Sequence, residues 1–408
     1  MVPRKKLKIV IVTAFYSEGM GYSENCLPRA LARLGHEVHV IASVYNVYGN
    51  EPLYDETYKA FLGPSQMPIG SRTVDGYTLH RLESSLMFGY VHIKGLGAKI
   101  RELDPDIVHS LEVASLQTYF IGLIKPFTRF KLFTETHQTM SVMRPYMKHP
   151  DGQLLKRAIF RMTRTVPTAL CCTGMELCYA VTPDCGEVAM RFYGVPKEKV
   201  RYLSLGSDTD TFHPIDGEAE QKERAALRAR LGYTDDDIVC VYTGRFNDDK
   251  NPLVLAKAID KMSETPANAR YKGLFIGHGA QKPAIAACRN VQVVPFMTHR
   301  DLAAHYRAAD IGVWPRRESM SMIDAASSGV PLVVNHTIGE PARVEGNGLM
   351  YQENDVEDLI RVLDSLRDAA MRQKLGAEGR RKMMQGFSWP AFAKTVEADF
   401  YAALDKAG

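Results

Sequence analysis

Short apolar segments alternate with helical stretches along the chain, and this alternation restricts the fold more than any other feature. Helix-favouring residues such as 24–35 separate the apolar segments. The strand candidates are 8–15, 37–43, 105–110, 131–138, 168–174, 237–244, 271–279, 291–296, 309–315 and 331–335. A β–α–β–α order requires a parallel sheet with helices on both faces. The chain is therefore predicted to be an α/β protein.

The same pattern begins twice, which predicts two domains. At 408 residues the chain is too long for one ordinary hydrophobic core. A polar, helix-favouring stretch at 215–232 leads from the first set of strands to the second. We place the boundary near residue 205. Two such domains are expected to face each other across a cleft, which is the natural place for a ligand.

The composition excludes several classes of protein. The net charge is only +4, from 51 basic and 47 acidic residues, so no global field indicates a nucleic-acid partner. No apolar run reaches the 18 or so residues of a membrane span. The apolar run after the basic N-terminus is predicted to be a buried first strand rather than a signal peptide. Seven cysteines, an odd number, favour a reducing cytoplasm, and the clustered ones lack zinc-ligand spacing: Cys171, Cys172, Cys178 and Cys185.

Three turns in the second half carry the functional signal. The segments 241–251, 275–280 and 314–331 each run from an apolar strand into a small or charged turn, which is where α/β sheets bind ligands. Arg245 and Lys250 could neutralise a diphosphate, although a solvated turn explains them equally well. The helix start Ser319-Met320-Ser321 offers backbone amides to a phosphate. Asp324, in the following helix, could accept hydrogen bonds from sugar hydroxyls.

Two glycine turns resemble nucleotide-binding loops only in part. Gly19 and Gly21 follow the first strand, and Gly277 and Gly279 follow a strand of the second half. Neither turn has the third glycine of G-x-G-x-x-G, and no acid ends the strand 37–43, which argues against a dinucleotide. The glycines still allow a ligand to approach the backbone. Simple strand-to-helix turns remain the alternative.

Two histidines and an acidic pair are further candidates. His109 and His137 both close apparent strands at the ligand edge of the first sheet, which favours a functional role for at least one of them. Asp208 and Asp210 form D-x-D, a pattern that can chelate Mg²⁺ beside phosphates. The motif is too short to be specific. A structural turn in the interdomain connector is the preferred interpretation.

Residues 125–164 form a basic segment with interleaved aromatic and methionine side chains. Nine Lys or Arg residues stand against two acids, a local net charge of +7. A basic amphipathic helix here could dock on anionic lipid, and a solvated basic face is the alternative. The segment from about 45 to 90 is irregular in pattern, so we expect a long loop there, either functional or merely packed on the surface.

These motifs together resemble the family 4 (GT4-type) retaining glycosyltransferases of the GT-B fold. The segment 200–212 is similar to the family's connector, and the turn from Gly244 to Lys250 is similar to its donor-diphosphate segment. The resemblance implies that Gly277 and Gly279 lie by the nucleobase and that His137 approaches the donor sugar. It also implies that 387–408 is a helix returning to the first domain. The expected domains are then 1–205 on the acceptor side, 206–386 for the nucleotide sugar, and 387–408.

The acidic motif of the chain departs from the family pattern of E-x7-E. Asp324 aligns with the second Glu, but Arg316 stands eight residues before it. The nearest acid is Glu318, which gives E-x5-D and a weaker match for the first Glu. In the first domain Gly19 and Gly21 replace an adjacent glycine pair, so the backbone path of that turn is expected to differ.

The resemblance implies a metal-independent, retaining hexosyltransferase of the cytoplasm that needs no cofactor besides its nucleotide-sugar donor. A UDP-linked donor is favoured over a GDP-linked one. The expected acceptor is lipid-linked or a glycan in polysaccharide or glycoconjugate synthesis, and peripheral contact with the inner face of the plasma membrane follows from the basic segment. Two alternatives stay open: a nucleotide-sugar 2-epimerase of the same architecture, and a non-catalytic sugar-nucleotide-binding or scaffold protein.

Overall fold

The computed structural model describes residues 5–51, 53–87, 90–140, 142–143 and 154–406. The chain divides into two compact units. Unit 1 comprises Met1–Leu205 with Phe392–Gly408, and unit 2 comprises Gly206–Ala391. Each unit is built on its own sheet with helices around it, which confirms the α/β prediction.

The sheet of unit 1 has eight strands in the order β10-β9-β8-β7-β1-β2-β4-β3. Its strands are β1 Lys8–Thr13, β2 Glu37–Ser43, β3 Gly70–Val74, β4 Tyr77–Leu82, β7 Ile107–Ser110, β8 Lys131–Thr136, β9 Met175–Ala180 and β10 Val200–Tyr202. A separate hairpin pairs β5 Ser84–Met87 with β6 Tyr90–Ile93. Only the edge strand β3 runs antiparallel to its neighbour in the main sheet. The strand order reverses at β1, which has β2 on one side and β7 on the other.

Helices cover this sheet, and its central strand is fully apolar where it is covered. The residues from Ile9 to Val12 in β1 are all buried. The helices of unit 1 are Ser23–Arg33, Tyr54–Thr57, Lys59–Leu62, Leu96–Leu103, Leu116–Ile124, Leu154–Phe160, Val166–Cys172, Pro183–Tyr193 and Trp389–Asp405, the last of which begins in unit 2. Short 3₁₀ turns lie at Lys125–Phe127 and Lys197–Lys199, and a π-helical turn at Arg161–Thr165.

Two predictions about unit 1 were wrong. Residues 168–174 do not form a strand, because they complete the Val166–Cys172 helix, and the strand β9 begins only after Gly174. Ala and Leu are good helix formers, and an apolar run this short fits either structure. The segment 45–90 is not a long loop: it contains β4, which pairs with β2 inside the main sheet.

Unit 2 has a fully parallel six-stranded sheet in the order β13-β12-β11-β14-β15-β16. Its strands are β11 Ile238–Arg245, β12 Tyr271–His278, β13 Val291–Val294, β14 Ile311–Trp314, β15 Leu332–Asn335 and β16 Gly348–Tyr351. Its helices are Glu218–Arg230, Leu253–Met262, Lys282–Ala286, His299–Ala308, Met320–Ser327, Val356–Ser365 and Ala369–Gly386, with a 3₁₀ turn at Pro341–Arg343. This is the doubly wound 3-2-1-4-5-6 order, whose switch point lies between β11 and β14.

Candidate functional site

The loops that follow β11 and β14 flank the switch point of the unit 2 sheet. β11 ends at Arg245, and β14 ends at Trp314. The two strands are hydrogen-bonded neighbours, so their carboxyl ends lie at the same edge. In open α/β sheets ligands bind in the crevice outside this edge. The structure therefore brings Arg245, Lys250 and the Ser319 helix start to the place where the fold binds ligands.

Lys250 joins these two loops. Its Nζ donates to the backbone carbonyl of Glu318, which lies just before the Met320–Ser327 helix, and its own amide donates to Asn247 Oδ1 at 3.0 Å. Burial lowers the pKa of the ammonium; Asp249 opposes this shift, while Arg245 and Arg317 add to it. The lysine thus sits among other cations, partly stripped of water. An anion at this edge would relieve that repulsion.

Three arginines complete a basic rim around Lys250. Arg245 is exposed at the end of its strand. Arg317 Nε pairs with Asp249 Oδ1 at 2.8 Å, and Arg316 donates to the Asp248 carbonyl at 2.7 Å, so both reach from the second loop to the first. Arg245 and Lys250 were predicted from the sequence, whereas Arg316 was noted only as a departure from the family pattern. Arg316 and Arg317 could also have been predicted, because they follow the buried strand β14 after a single proline.

The carboxylate of Glu318 is committed to a structural network. It accepts from the Glu340 amide at 2.8 Å and from the nearly buried Arg343 at 3.0 Å. These bonds attach the β14 loop to the 3₁₀ turn Pro341–Arg343. Glu318 therefore contributes its backbone carbonyl to Lys250, while its side chain holds the loop in shape.

The start of the Met320–Ser327 helix is fixed by hydroxyl contacts to β11. Ser321 Oγ donates to the Thr243 carbonyl at 3.3 Å and receives the Trp314 indole N–H at 3.1 Å. Ser319 lies in extended backbone as the N-cap, and its Oγ lies 2.9 Å from Ser321 Oγ. The first amides of an α-helix have no acceptor within the helix and carry the positive end of its dipole. The Ser319-Met320-Ser321 segment thus places the positive end of the helix beside Lys250.

Asp324 lies in the interior of unit 2. Its side chain is nearly buried and accepts a hydrogen bond from Ser207 Oγ at 2.7 Å. Burial raises the pKa of the carboxyl, the Ser207 bond lowers it in part, Asp208 raises it further, and the result is about 8. The predicted hydrogen bond to sugar hydroxyls stays a prediction. In this structure the carboxyl links the connector 206–212 to the Met320–Ser327 helix.

The D-x-D segment forms a turn in the connector. Thr211 Oγ1 donates to Asp208 Oδ2 at 2.7 Å, and the Phe212 amide donates to the Asp208 carbonyl at 2.8 Å. Arg380 donates to the carbonyls of Thr209 and Phe212 at 3.1 and 2.8 Å. Asp208 is thus explained by backbone closure. No cluster of three or more potential metal ligands occurs among the residues the structure describes.

The glycines of the second-half turns allow two strand ends to approach closely. Gly277 pairs with Gly244 across β12 and β11, with φ of 153° and 143°. A Cβ on Gly277 would lie 1.9 Å from the Gly244 carbonyl oxygen, and one on Gly279 would lie 2.4 Å from that of Phe246. Backbone packing therefore accounts for this G-x-G. Gly19 and Gly21, after β1, have φ of 76° and 69°, a conformation that glycine adopts without strain.

His137 follows β8 and is held by a carboxylate two residues earlier. Its Nε2 lies 2.9 Å from Glu135 Oε2, and its side chain is 33% exposed. Glu135 Oε1 lies 3.0 Å from Nε2 of His109 on β7, and both of these side chains are fully buried. The structure thus assigns the two candidate histidines different places. His109 lies in the core, whereas His137 is partly exposed at the carboxyl edge of the sheet.

Two further carboxyls act on His137 that the sequence analysis missed. Glu24 follows β1 on the Ser23–Arg33 helix, and Glu112 follows β7. Burial raises the pKa of Glu24 to about 7 and that of Glu112 above its ordinary value, and the charge of His137 lowers both in part. Glu135 could have been found from sequence, because residues i and i+2 of a strand share a face. Glu24 and Glu112 come near His137 only because β1, β7 and β8 are neighbours in the sheet, an order that the sequence does not reveal.

Comparison with known families gives two successive matches. The model of "Glycosyltransferase Family 4" matches residues 26–211, and that of "Glycosyl transferases group 1" matches residues 237–368. A D-inositol 3-phosphate glycosyltransferase of Streptomyces bingchenggensis is 30% identical over 243 residues, which are 55% of this chain and 52% of the relative. The chain thus spans about half the length of the curated relatives it matches.

Solved structures show the same fold over nearly the whole chain. A sucrose-phosphate synthase of Thermosynechococcus elongatus aligns with a TM-score of 0.67 and 19% identity, covering 99% of this chain and 100% of that one. Anabaena HepE, solved in complex with UDP, aligns with a TM-score of 0.67 and 13% identity, covering 97% and 100%. The fold is the GT-B fold. The chain belongs to the GT4-type glycosyltransferases.

Asp324→Asn should flatten the pH dependence of stability. An unfolded aspartate titrates near about 3.9, so the folded state holds an extra proton between that pH and its own pKa of about 8. The stability that this proton provides is present at low pH and is lost as pH rises towards 8. Denaturant unfolding at pH 5, 6, 7 and 8 should show the wild type weakening relative to the variant. Equal slopes for the two proteins would contradict the raised pKa.

Proposed function

We propose that the protein transfers a sugar from a nucleotide-diphospho-sugar to an acceptor hydroxyl. The observation that carries the proposal is the basic rim at the switch point of unit 2. Arg245, Lys250 and the Ser319 helix start converge where the fold binds ligands, and they suit a diphosphate. Membership of the GT4-type family supports transfer as the reaction.

The proposed chemistry is heterolysis of the bond between the sugar and the diphosphate. Negative charge then grows on the departing phosphate oxygen, where Lys250, Arg245 and the helix-start amides stabilise it. The acceptor hydroxyl attacks the anomeric carbon on the face that the diphosphate leaves, and its proton passes to the leaving phosphate. This same-face path retains the configuration and uses no enzymatic nucleophile.

A UDP-linked hexose is the donor we propose. Two solved structures of Anabaena HepE, one with UDP and one with UDP-glucose, share the fold of this chain at TM-scores of 0.67 and 0.66. At 13% identity these neighbours support the choice only by analogy of fold. The basic rim itself recognises the diphosphate and is neutral towards the base.

Replacing the rim cations should slow transfer without unfolding the protein. Arg245→Ala and Lys250→Ala should each lower turnover by at least about tenfold, since a lost contact to a developing anion costs on the order of 2–4 kcal/mol. Steady-state kinetics with UDP-sugars would measure this. Arg230→Ala is the matched control, because that exposed arginine ends the helix leading into β11, away from the rim. Near-normal kinetics in both rim variants would contradict the donor site.

Transfer is proposed to be independent of divalent metal, because the rim cations supply the charge that Mg²⁺ provides in other phosphate sites. Turnover after treatment with EDTA and gel filtration should therefore match that of the untreated protein. Complete loss on chelation, with recovery on adding Mg²⁺ or Mn²⁺, would overturn this part of the proposal.

For the acceptor we propose a lipid-linked molecule or glycan reached from an anionic membrane surface. The helices Leu154–Phe160 and Val166–Cys172 are joined by the π-helical turn and expose one apolar stripe: Leu155, Ile159, Met162, Val166 and Leu170. The neighbouring Leu116–Ile124 helix and its 3₁₀ turn expose Leu123 at 71% and Phe127 at 88%. Exposed apolar groups of this size usually mark an interaction surface.

Basic side chains beside this stripe favour anionic lipid as the partner. Lys156, Arg157 and Arg161 are exposed along the same helical path. Arg164 is not part of this set, because its guanidinium lies 4.8 Å from the Tyr90 ring centre and 5.7 Å from that of Phe160. Residues 144–153 of the predicted basic segment lie outside the described residues. Among the helices that are described, none has the length and apolarity needed to cross a bilayer, and the proposed association is peripheral.

Co-sedimentation with liposomes tests this surface. The protein should bind vesicles containing anionic lipid and should dissociate as salt shortens the Debye length below about 8 Å. At about 1 kcal/mol per cation, replacing Lys156, Arg157 and Arg161 with Ser should weaken binding roughly 100-fold. The equal-charge control replaces three exposed lysines of unit 2: Lys222, Lys257 and Lys374.

Equal binding by the basic-surface variant and the control would contradict the proposed surface. If the wild type ignores anionic vesicles at low salt, a soluble acceptor is the better account. The name of the Streptomyces relatives, D-inositol 3-phosphate glycosyltransferase, gives one such class to test.

A further inference from the structure

The edge of the unit 1 sheet holds a linked set of ionisable groups outside the donor rim. Glu24 follows β1, Glu112 follows β7, and Glu135 with His137 ends β8. The strand order reverses at β1, so this set lies at the switch point of the unit 1 sheet. Glu135 is fully buried and Glu24 nearly so, whereas Glu112 and His137 are partly exposed, His137 by 33% of its side chain.

The local geometry gives His137 a fixed partner on one side of its ring. Glu135 Oε2 lies 2.9 Å from Nε2, and Glu135 Oε1 lies 3.0 Å from Nε2 of His109, a close contact whose geometry does not form a hydrogen bond. His109 is packed against the rings of Tyr179 and Phe400, with centroid distances of 5.7 and 6.1 Å, so it cannot move without disturbing the core. Nδ1 is the ring nitrogen of His137 that Glu135 does not occupy.

The charges around His137 all favour its protonated form. Burial lowers the pKa of the imidazole, but the Glu135 hydrogen bond and the charges of Glu135, Glu112 and Glu24 outweigh burial and raise it. Burial likewise raises the pKa of Glu135, but the nearby His109 and His137 outweigh burial and lower it to about 2, so this carboxyl stays ionised. A protonated imidazole donates from both nitrogens.

We propose that Glu135 is a positioning residue that holds His137 as an imidazolium, whose Nδ1–H donates to an oxygen of the substrate. A donor that carries charge makes a hydrogen bond roughly twice as strong as a neutral one. It also keeps its direction, because Nε2 is fixed by a buried carboxylate. The role in sugar transfer rests on the proposed function, whereas the charged state of His137 does not.

The test is an NMR titration of the imidazoles in the full-length chain labelled with ¹⁵N-histidine. The chain has 12 histidines, and loss of one resonance in His137→Gln assigns the group. In the wild type His137 should titrate above the ordinary histidine pKa of about 6.5. In Glu135→Gln its pKa should fall by at least about one pH unit, and Glu135→Asp should restore part of the shift.

Glu176→Gln is the matched control, because it makes the same substitution on β9 at a glutamate that pairs with Lys131 at 3.1 Å. It should leave the titration of His137 unchanged. A wild-type His137 that is neutral at pH 6.5, or an unchanged pKa in Glu135→Gln, would overturn the proposal. If Glu135→Gln fails to fold, the wild-type titration and Glu135→Asp still decide it.

A kinetic arm separates this inference from the proposed function. If the protein transfers sugar, the alkaline limb of kcat/KM should move to lower pH in Glu135→Gln and stay in place in Glu176→Gln. If no transfer is found with any donor, the proposed function is wrong and the kinetic comparison cannot be made. The NMR result still decides the state of His137.

Discussion

The hydrogen bond from Lys250 to the Glu318 carbonyl is the contact on which the donor site depends. It spans 68 residues of sequence and joins the loop after β11 to the loop after β14. Two further contacts join the same loops, from Arg317 to the Asp249 carboxylate and from Arg316 to the Asp248 carbonyl. With the bond in place, the basic rim and the helix start form a single surface. Glu318 serves it twice, through its carbonyl and through the carboxylate that anchors the loop to Arg343.

The switch points of the two units carry side chains of opposite charge. Unit 2 gathers the rim cations at its sheet edge, where Arg316 pairs with Glu353 and Arg317 with Asp249. Unit 1 gathers carboxyls around one open histidine. Placing like charges close together lowers folding stability, and such arrangements are found most often at binding or catalytic sites. Each surface therefore suits the opposite kind of group: an anion on unit 2, and an oxygen acceptor facing the imidazolium of unit 1.

The strands and turns of unit 2 were predictable because their signals are local. Continuous apolar runs with several Val and Ile residues, such as 237–244, favour buried strands of a parallel sheet, and the residue after each strand is then at the ligand edge. Local signals failed where they were ambiguous. Residues 168–174 fit a helix as well as a strand, and β4 carries two consecutive polar residues, His80 and Arg81, in a stretch otherwise rich in turn formers.

Other parts of the site depend on contacts that no local pattern encodes. The partner of Lys250 is a backbone carbonyl in a distant loop, and the hydrogen-bond donor to the buried Asp324 is Ser207, 117 residues earlier. The glycines at 277 and 279 also allow two backbones to approach closely, which the sequence does not show, and their role beside a nucleobase stays a prediction. The contact between Glu135 and His137 could have been predicted, because Glu135 stands two residues before His137 near the end of β8.

The central claim is that the basic rim of unit 2 binds a nucleotide diphosphate. Thermal unfolding of the full-length protein with UDP, GDP and their sugar conjugates tests it most directly, because a ligand that binds only the folded state stabilises it by about 2.7 kcal/mol at 100 times its Kd. The account predicts that Tm rises with a uridine diphosphate and that the rise is lost in Arg245→Ala. An unchanged Tm with every nucleoside diphosphate and nucleotide sugar at millimolar concentration would contradict it.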